Sequence, residues 1–474
     1  MEPVVSAQSV RDAEAAWFSA HPGGDLMALA ARAVADVVCA ELDAARARRV
    51  LVVAGPGNNA GDALFAAALV AGDRGVDVLV HLVGESTHEA GLAAAAGLDA
   101  VVVDAAGALG AVRAGGVVVV DGVSGLGGRA GLAPGVAALA SACRSARVPV
   151  VAVDLPSGLV ADSHVGHESF WATRTVTFIA RKLAHVASPA AERCGVLTCV
   201  DIGVEAPSSD VHVVTDADLA AWYPWPHAAS DKYSRGVVGL DTGSLLYPGA
   251  AVLGAAGALW AGAGMVRYAG PAREQVLARS PSVVVPADVS DPGRVQAWVC
   301  GSGWDADGAA GRLASRVADG VPIVLDAGAL EVSPGSLPAG SVLTPHAGEL
   351  ARLLGVSREA VEGDPIGHAR RAASEHGVTV LLKGATQYAV DPDGSVLIAL
   401  RGAAWTATAG SGDTLAGALG ALLAGGVPAQ RAAALAASLQ AEASRRRPGP
   451  VPPDRLAEEF GLVIHRWNID LEGP

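Results

Sequence analysis

The chain has 474 residues, 51% of them apolar but only 4% aromatic, and a formal charge of −14 at pH 7. That length exceeds one ordinary core and favours two or three domains, while an apolar fraction made mostly of Ala and Val excludes disorder and suits tight helices on buried parallel strands. The acidity argues against a duplex nucleic-acid binder, which needs a basic face to displace counterions, and leaves room for a local phosphate site.

Near the N-terminus, Glu2, Arg11, Asp12 and Glu14 precede any apolar run, so no secretory segment is expected. The five cysteines (Cys39, Cys143, Cys194, Cys199, Cys300) are scattered, without C-x-x-C or Cys/His ligand spacing. Reduced thiols and a cytoplasmic location are expected. Short β-rich runs at 50–54, 76–83, 101–104, 117–121, 148–154 and 173–178 alternate with Ala-rich stretches, the mark of βαβ units around a parallel sheet. Ligands of such sheets bind at the carboxyl ends of strands, so Asp104, Asp121 and Asp154 become candidates. Asp104 has no accompanying motif and reads as a cap.

Three turns follow these strands, the first two rich in glycine. Gly55-Pro-Gly-Asn-Asn-Ala-Gly-Asp62 lacks the G-x-G-x-x-G dinucleotide spacing, because Ala60 stands at the last glycine position. It offers instead the paired amides Asn58 and Asn59, with Asp62 at a helix start. Asp121-Gly-Val-Ser-Gly-Leu-Gly-Gly-Arg-Ala-Gly131 and Asp154-Leu-Pro-Ser157 end later strands. Asn59, Asp121 and Ser157 together present only oxygen donors of low charge, which suits an alkali ion better than zinc or copper. The rival reading is local Asx turns.

Between 205 and 233 the alternation gives way to Pro, Ser and aromatic residues, and a domain boundary is placed at 212/213. The second part resumes with runs at 237–241, 299–301, 323–326, 341–344 and 378–383, then a hairpin around Asp391-Pro-Asp-Gly394. Residues 242–266 carry no charge and have the length of a membrane span. Pro248 and six glycines there favour a strand end, loop and helix, so no membrane is expected. In Trp405-Thr-Ala-Thr-Ala-Gly-Ser-Gly-Asp413, bare amides at a helix start can hold a phosphoryl group while Asp413 accepts a hydroxyl proton. Lys383-Gly384 and Thr344-Pro-His-Ala-Gly-Glu349 close neighbouring runs, so a cation, an imidazole and a carboxylate could converge with Asp413.

The first three motifs, in that order, resemble the NAD(P)H-hydrate epimerase domain over residues 1–212. The resemblance implies a Rossmann-like three-layer domain that binds the hydrated nucleotide through Asn58, Asn59, Ala60, Gly61 and Asp62 and through Gly125, Leu126, Gly127, Gly128, Arg129, Ala130 and Gly131. It further implies K+ on Asn59, Asp121 and Ser157, and contact of Asp154 with the substrate; because epimerisation at the hydrated carbon needs proton transfer or reversible ring opening beside a carboxylate, Asp154 is the candidate catalytic residue. This chain departs from the family's N-N-G-G-D-G at Ala60 and Ala63; Ala63 is expected within the helix and harmless, whereas a Cβ at Ala60 is expected to matter if that glycine needs a positive φ or close approach to the ligand.

Residues 213–474 resemble the ribokinase-like ADP-dependent NAD(P)H-hydrate dehydratase, through Lys232-Tyr-Ser-Arg-Gly236, Tyr247-Pro-Gly-Ala-Ala251, Ala261-Gly-Ala-Gly264, Thr344–Glu349, Lys383-Gly384 and Gly410-Ser-Gly-Asp413. That resemblance implies a ribokinase-like α/β domain in which Ala251, Gly303, His346 and Asp413 line the hydrate pocket. Lys383, Gly384, Ala385, Thr386, Gln387 and Gly412 would contact the adenine nucleotide, with ADP and Mg2+ as cofactors and Asp413 catalytic. Departures are Gly301-Ser-Gly-Trp-Asp305 for G-P-G-x-G, Gly328 for an Asp, and Gln387 for a Thr. Together the two resemblances imply a bifunctional repair enzyme, expected as a homo-oligomer. The alternative is a small-molecule kinase with a non-catalytic N-terminal binding module.

Overall fold

The computed structural model describes residues 1–286, 293–333 and 335–472. The chain forms two compact units, Glu2–Ser209 and one that begins at Asp210. That division falls three residues before the boundary read from composition.

The first unit holds a seven-stranded sheet, in the order Val101–Val103, Asp77–Leu82, Arg49–Ala54, Val117–Gly122, Val150–Val153, Arg174–Phe178, Val196–Val200. All neighbours run parallel. The central strands are unbroken apolar runs because both faces are covered. Val50, Val52, Val118 and Val120 pack with helices Leu26–Ala45 and Asn58–Arg74, while Leu51, Val53, Val117 and Val119 pack with residues of Ala105–Ala114 and Pro134–Ala146. This period-two division makes three layers. Strands Arg49–Ala54 and Val117–Gly122 lie side by side where the strand order reverses, which opens a crevice at their carboxyl ends. Asp104 caps helix Ala105–Ala114 by accepting from the Gly107 amide at 2.8 Å, as its lone position suggested.

The second unit's strands run in the order Val211–Val213, Val396–Ile398, Tyr388–Val390, Thr379–Leu382, Val342–Leu343, Ile323–Leu325, Ala297–Cys300, Val237–Asp241, Met265–Tyr268. Tyr388–Val390 is antiparallel to both its neighbours, and Gly394 at φ +89° closes its hairpin with Val396–Ile398. The other pairs are parallel. Helices Pro248–Trp260 and Ser411–Ala424 cross in close contact: a Cβ on Gly257 would lie 2.0 Å from the Thr414 carbonyl, and one on Gly417 2.0 Å from that of Gly254. Glycine is obligatory at that crossing. Residues 242–266 divide into a loop, the helix from Pro248 and the start of the strand Met265–Tyr268, and no described helix is long and apolar enough to cross a membrane.

Two candidate active sites

In the first unit a cavity of about 490 Å³ opens at the crevice, lined among others by Glu14, Asn58, Asn59, Asp62, Gly125, Asp154 and Lys182. Asp154 follows its strand with a backbone at φ 62°, a region that residues bearing a Cβ rarely adopt. Its Oδ1 accepts from Thr177 Oγ1 at 2.9 Å and from Lys182 Nζ at 2.8 Å. Gly125 forms the opposing wall. A Cβ there would stand 2.7 Å from Asn59 Oδ1 and 2.8 Å from Asp154 Oδ2, so only glycine leaves both polar groups their places.

The carboxyls of this cavity are driven apart. Burial, then the charge of Asp154, push Asp62 up to about 8, and Glu14 rises for the same two reasons. Burial also opposes ionisation of Asp154, but the Lys182 charge and the hydrogen bonds from Lys182 and Thr177 outweigh it and hold the group low. Burial and like charge thus favour the protonated form of Asp62, and the lysine favours the ionised form of Asp154, the division of labour that acid–base chemistry needs.

Beside it, Asp121 is fully buried and accepts only from neutral donors: Ser157 Oγ at 2.6 Å, Ser157 N at 2.8 Å and Val123 N at 3.3 Å. Burial pushes it up to about 6, against the pull of those bonds. A carboxylate with no cationic side chain among these partners is one that a small cation would stabilise. Asn59 Nδ2 is buried without a hydrogen-bond partner while Oδ1 points toward the side where Asp154 Oδ2 lies. Exchanging the two ends of that amide would aim a donor at the carboxylate and leave the oxygen free for a cation. The oxygen-only set thus fits K+.

Not every expected residue faces the cavity. Ala60 is fully buried in the core within regular helix Asn58–Arg74 and does not have a positive φ, so the anticipated cost of a Cβ there does not arise. Ala63 packs against Gly122 from the same helix face. Gly61 looks toward Met27 and His88. Ser124, Gly125, Leu126 and Gly127 line the cavity, whereas Gly128, Arg129, Ala130 and Gly131 continue the loop away from that lining. Lys182, Glu14 and Arg11 escaped the sequence reading, although Arg181-Lys182 directly after a β-run offered a signal for the first.

In the second unit Gly410, at φ 91°, caps helix Ser411–Ala424 and sets Asp413 in its first turn. Burial, then the nearby charge of Asp326, push Asp413 up to about 6, with Lys383 and a hydrogen bond from Ser302 pulling the other way. Asp326 Oδ1 accepts from Lys383 Nζ at 2.6 Å and from Thr344 Oγ1 at 2.9 Å, and its Oδ2 accepts from Ser302 Oγ at 2.8 Å. A Cβ on Gly412 would lie 3.5 Å from Lys383 Nζ, so the lysine, the glycine turn and Asp413 share one edge of the sheet. The carboxylate that partners Lys383 is Asp326, the last residue of the run at 323–326. Glu349 instead forms a capping box with His346, whose side chain is 56% exposed. Ser302, the residue standing where the family has proline, ties its loop to Asp326.

Gly303 at φ 69° lets the Gly301–Asp305 turn approach Ala250, whose Cβ would be 2.8 Å from a Cβ on Gly303. Ala251 is fully buried against Gly243, so its side chain belongs to the core. Gly384 and Ala385 are exposed, Thr386 is buried and Gln387 half-buried. Among the described residues no three His, Cys, Asp or Glu side chains group as a metal cage.

Two family models match the chain: one described as YjeF-related protein N-terminus over residues 23–184, and one described as NAD(P)H-hydrate dehydratase over residues 238–455. A bifunctional NAD(P)H-hydrate repair enzyme of Mycobacterium leprae is 40% identical over 95% of this chain and 96% of its own length. An ADP-dependent (S)-NAD(P)H-hydrate dehydratase of Xanthomonas campestris is 35% identical over 53% of this chain and 91% of its own. The crystal structure of a hypothetic protein from Streptococcus mutans, 20% identical, covers 54% of this chain and 100% of that one with a TM-score of 0.50, a likeness of fold. With both domain models present and near-complete coverage of the leprosy-bacillus relative, the chain belongs to the family of bifunctional NAD(P)H-hydrate repair enzymes.

Proposed function

We propose that the protein repairs hydrated NADH and NADPH in two steps, epimerising the R and S hydrates in the first unit and dehydrating the S form with ADP in the second. The observation that carries this reading is a carboxyl at each parallel-sheet edge, Asp154 clamped by Lys182 in a cavity it shares with Asp62 and Asp413 in the first turn of a glycine-capped helix, in a chain aligned with the M. leprae repair enzyme over 95% of its length.

In the first cavity Asp154 exchanges a proton with the substrate while Asp62 supplies the complementary one. Potassium would be held by Asn59, Asp121 and Ser157, where it would stabilise the buried Asp121 charge and tie down the loop that carries Gly125. In the second site Asp413 takes the proton of the hydrate hydroxyl as that oxygen attacks the terminal phosphoryl group of ADP. The Gly410–Gly412 amides and Lys383 hold the developing negative charge. Loss of phosphate from the ring then restores the dihydronicotinamide. Mg2+ would be held mainly by the phosphates, since no metal cage of His, Cys, Asp or Glu side chains forms among the described residues. A cytoplasmic location and a homo-oligomeric state complete the proposal.

The dehydratase half is tested by supplying purified S hydrate with ADP. One phosphate and one AMP should be released for each reduced nicotinamide recovered. Phosphorylation of a stable alcohol, with no recovery, would instead support the small-molecule kinase reading.

A further inference from the structure

Asp154 is held at both ends by one short segment. Its carbonyl accepts from His185 Nε2 at 2.8 Å, and the other nitrogen of that ring, Nδ1, accepts from the Lys182 amide at 3.1 Å. The ammonium of the same Lys182 returns to Asp154 Oδ1 and donates also to Thr177 Oγ1 at 2.7 Å and to the Phe178 carbonyl at 3.3 Å. All three ammonium hydrogens are thus committed, and the side chain is 1% exposed. Thr177 closes the ring by donating to the same Oδ1. None of these bonds reaches Oδ2, which faces the Gly125 wall of the cavity.

Burying an ammonium and a carboxylate together yields little net stability compared with an apolar pair of the same volume. The pair sits at the lining of a cavity, on a backbone already in a sparsely populated region. Its clear geometric consequence is to distinguish the two oxygens of one carboxylate. We propose that Lys182 is a positioning residue for the reaction in the first cavity: by binding Oδ1 of Asp154 together with Thr177, it presents Oδ2 as the one oxygen open to substrate. This rests on the epimerase reading of that cavity. Without the clamp the carboxylate can turn about its Cβ–Cγ bond and share protons between both oxygens, and the loss falls on turnover more than on binding.

The test uses the full-length protein, whose dehydratase activity reports on the integrity of the same chain. In Lys182→Ala the epimerase kcat should fall about 100-fold with KM within about threefold, while ADP-dependent dehydration is unchanged. Propylammonium, which fits the space left by the side chain, should restore at least about a tenth of the lost rate. Thr177→Val, which keeps the ion pair, should lower kcat about tenfold at unchanged KM and provides the reading if the alanine variant does not fold. An epimerase kcat within threefold of wild type in the variant that folds would overturn the proposal, as would a loss confined to KM or a failure of the amine to rescue. A wild-type protein that dehydrates but never epimerises would overturn the epimerase reading and this proposal with it.

Discussion

Replacing Asp413 by Asn separates two effects that act in opposite directions. Burial and the Asp326 charge move Asp413 from an ordinary 3.8 to about 6. Each unit of such a shift is worth about 1.4 kcal/mol, so the ionised form costs the fold up to about 3 kcal/mol, and about 2 kcal/mol once its partial exposure is allowed for. The sign follows from linkage: a raised pKa contributes stability that is complete below 3.8 and is lost as pH rises through 6. Asp413→Asn should therefore be more stable than wild type by about 2 kcal/mol at pH 8 and equal to it at pH 4. Its dehydratase kcat should fall by about 10² to 10⁴, the usual contribution of a general base. Urea unfolding of the ligand-free full-length protein, followed by tryptophan fluorescence, reports mainly on the second unit, because only Trp17 and Trp171 lie outside it. A stability difference independent of pH would refute the electrostatic argument. Normal turnover would refute the catalytic one.

Ala60→Gly should leave the epimerase rate within about twofold and cost up to about 1 kcal/mol, since the residue is helical and buried; a large gain in rate would contradict that placement. Gly125→Ala should abolish epimerisation and spare dehydration, because its Cβ would displace Asn59 Oδ1 or Asp154 Oδ2; steady-state assays of both activities decide it. Potassium chloride should raise the melting temperature of the first unit more than choline chloride does at pH 8, and the difference should shrink at pH 5 as Asp121, pushed up to about 6, becomes neutral. An equal effect at both pH values would exclude Asp121 as the ion's charged ligand.

The alternating Val-rich runs carried most of the first unit, since a strand buried on both faces leaves an unbroken apolar signature and its last residue marks the ligand edge. Asp121 and Asp154 were legible for that reason, and Asp413 from the glycine turn that opens its helix. The strands Val196–Val200 and Val211–Val213 were not: the first has no fully buried residue and the second is three residues long, too short for periodicity to register. Met265–Tyr268 was hidden because it follows without a break from an uncharged stretch that also contains a helix. Side chains that reach the sites from distant segments also left no local motif. Glu14 enters from helix Ala7–Ala20 and Asp326 from a strand end, and their roles exist only once folding sets them beside Asp62 and Lys383. Ala60 illustrates the converse: a glycine absent from a family motif suggested a strained turn, whereas the position is ordinary helix that tolerates a methyl group.

The central claim is tested most directly by giving the purified protein both epimers of the NADH hydrate with ADP, Mg2+ and K+, and following reduced-nicotinamide absorbance to its final amplitude against a control for spontaneous epimerisation. Two working sites predict recovery of the whole hydrate pool. An amplitude that stops at the S share, or no recovery at all, would contradict the account.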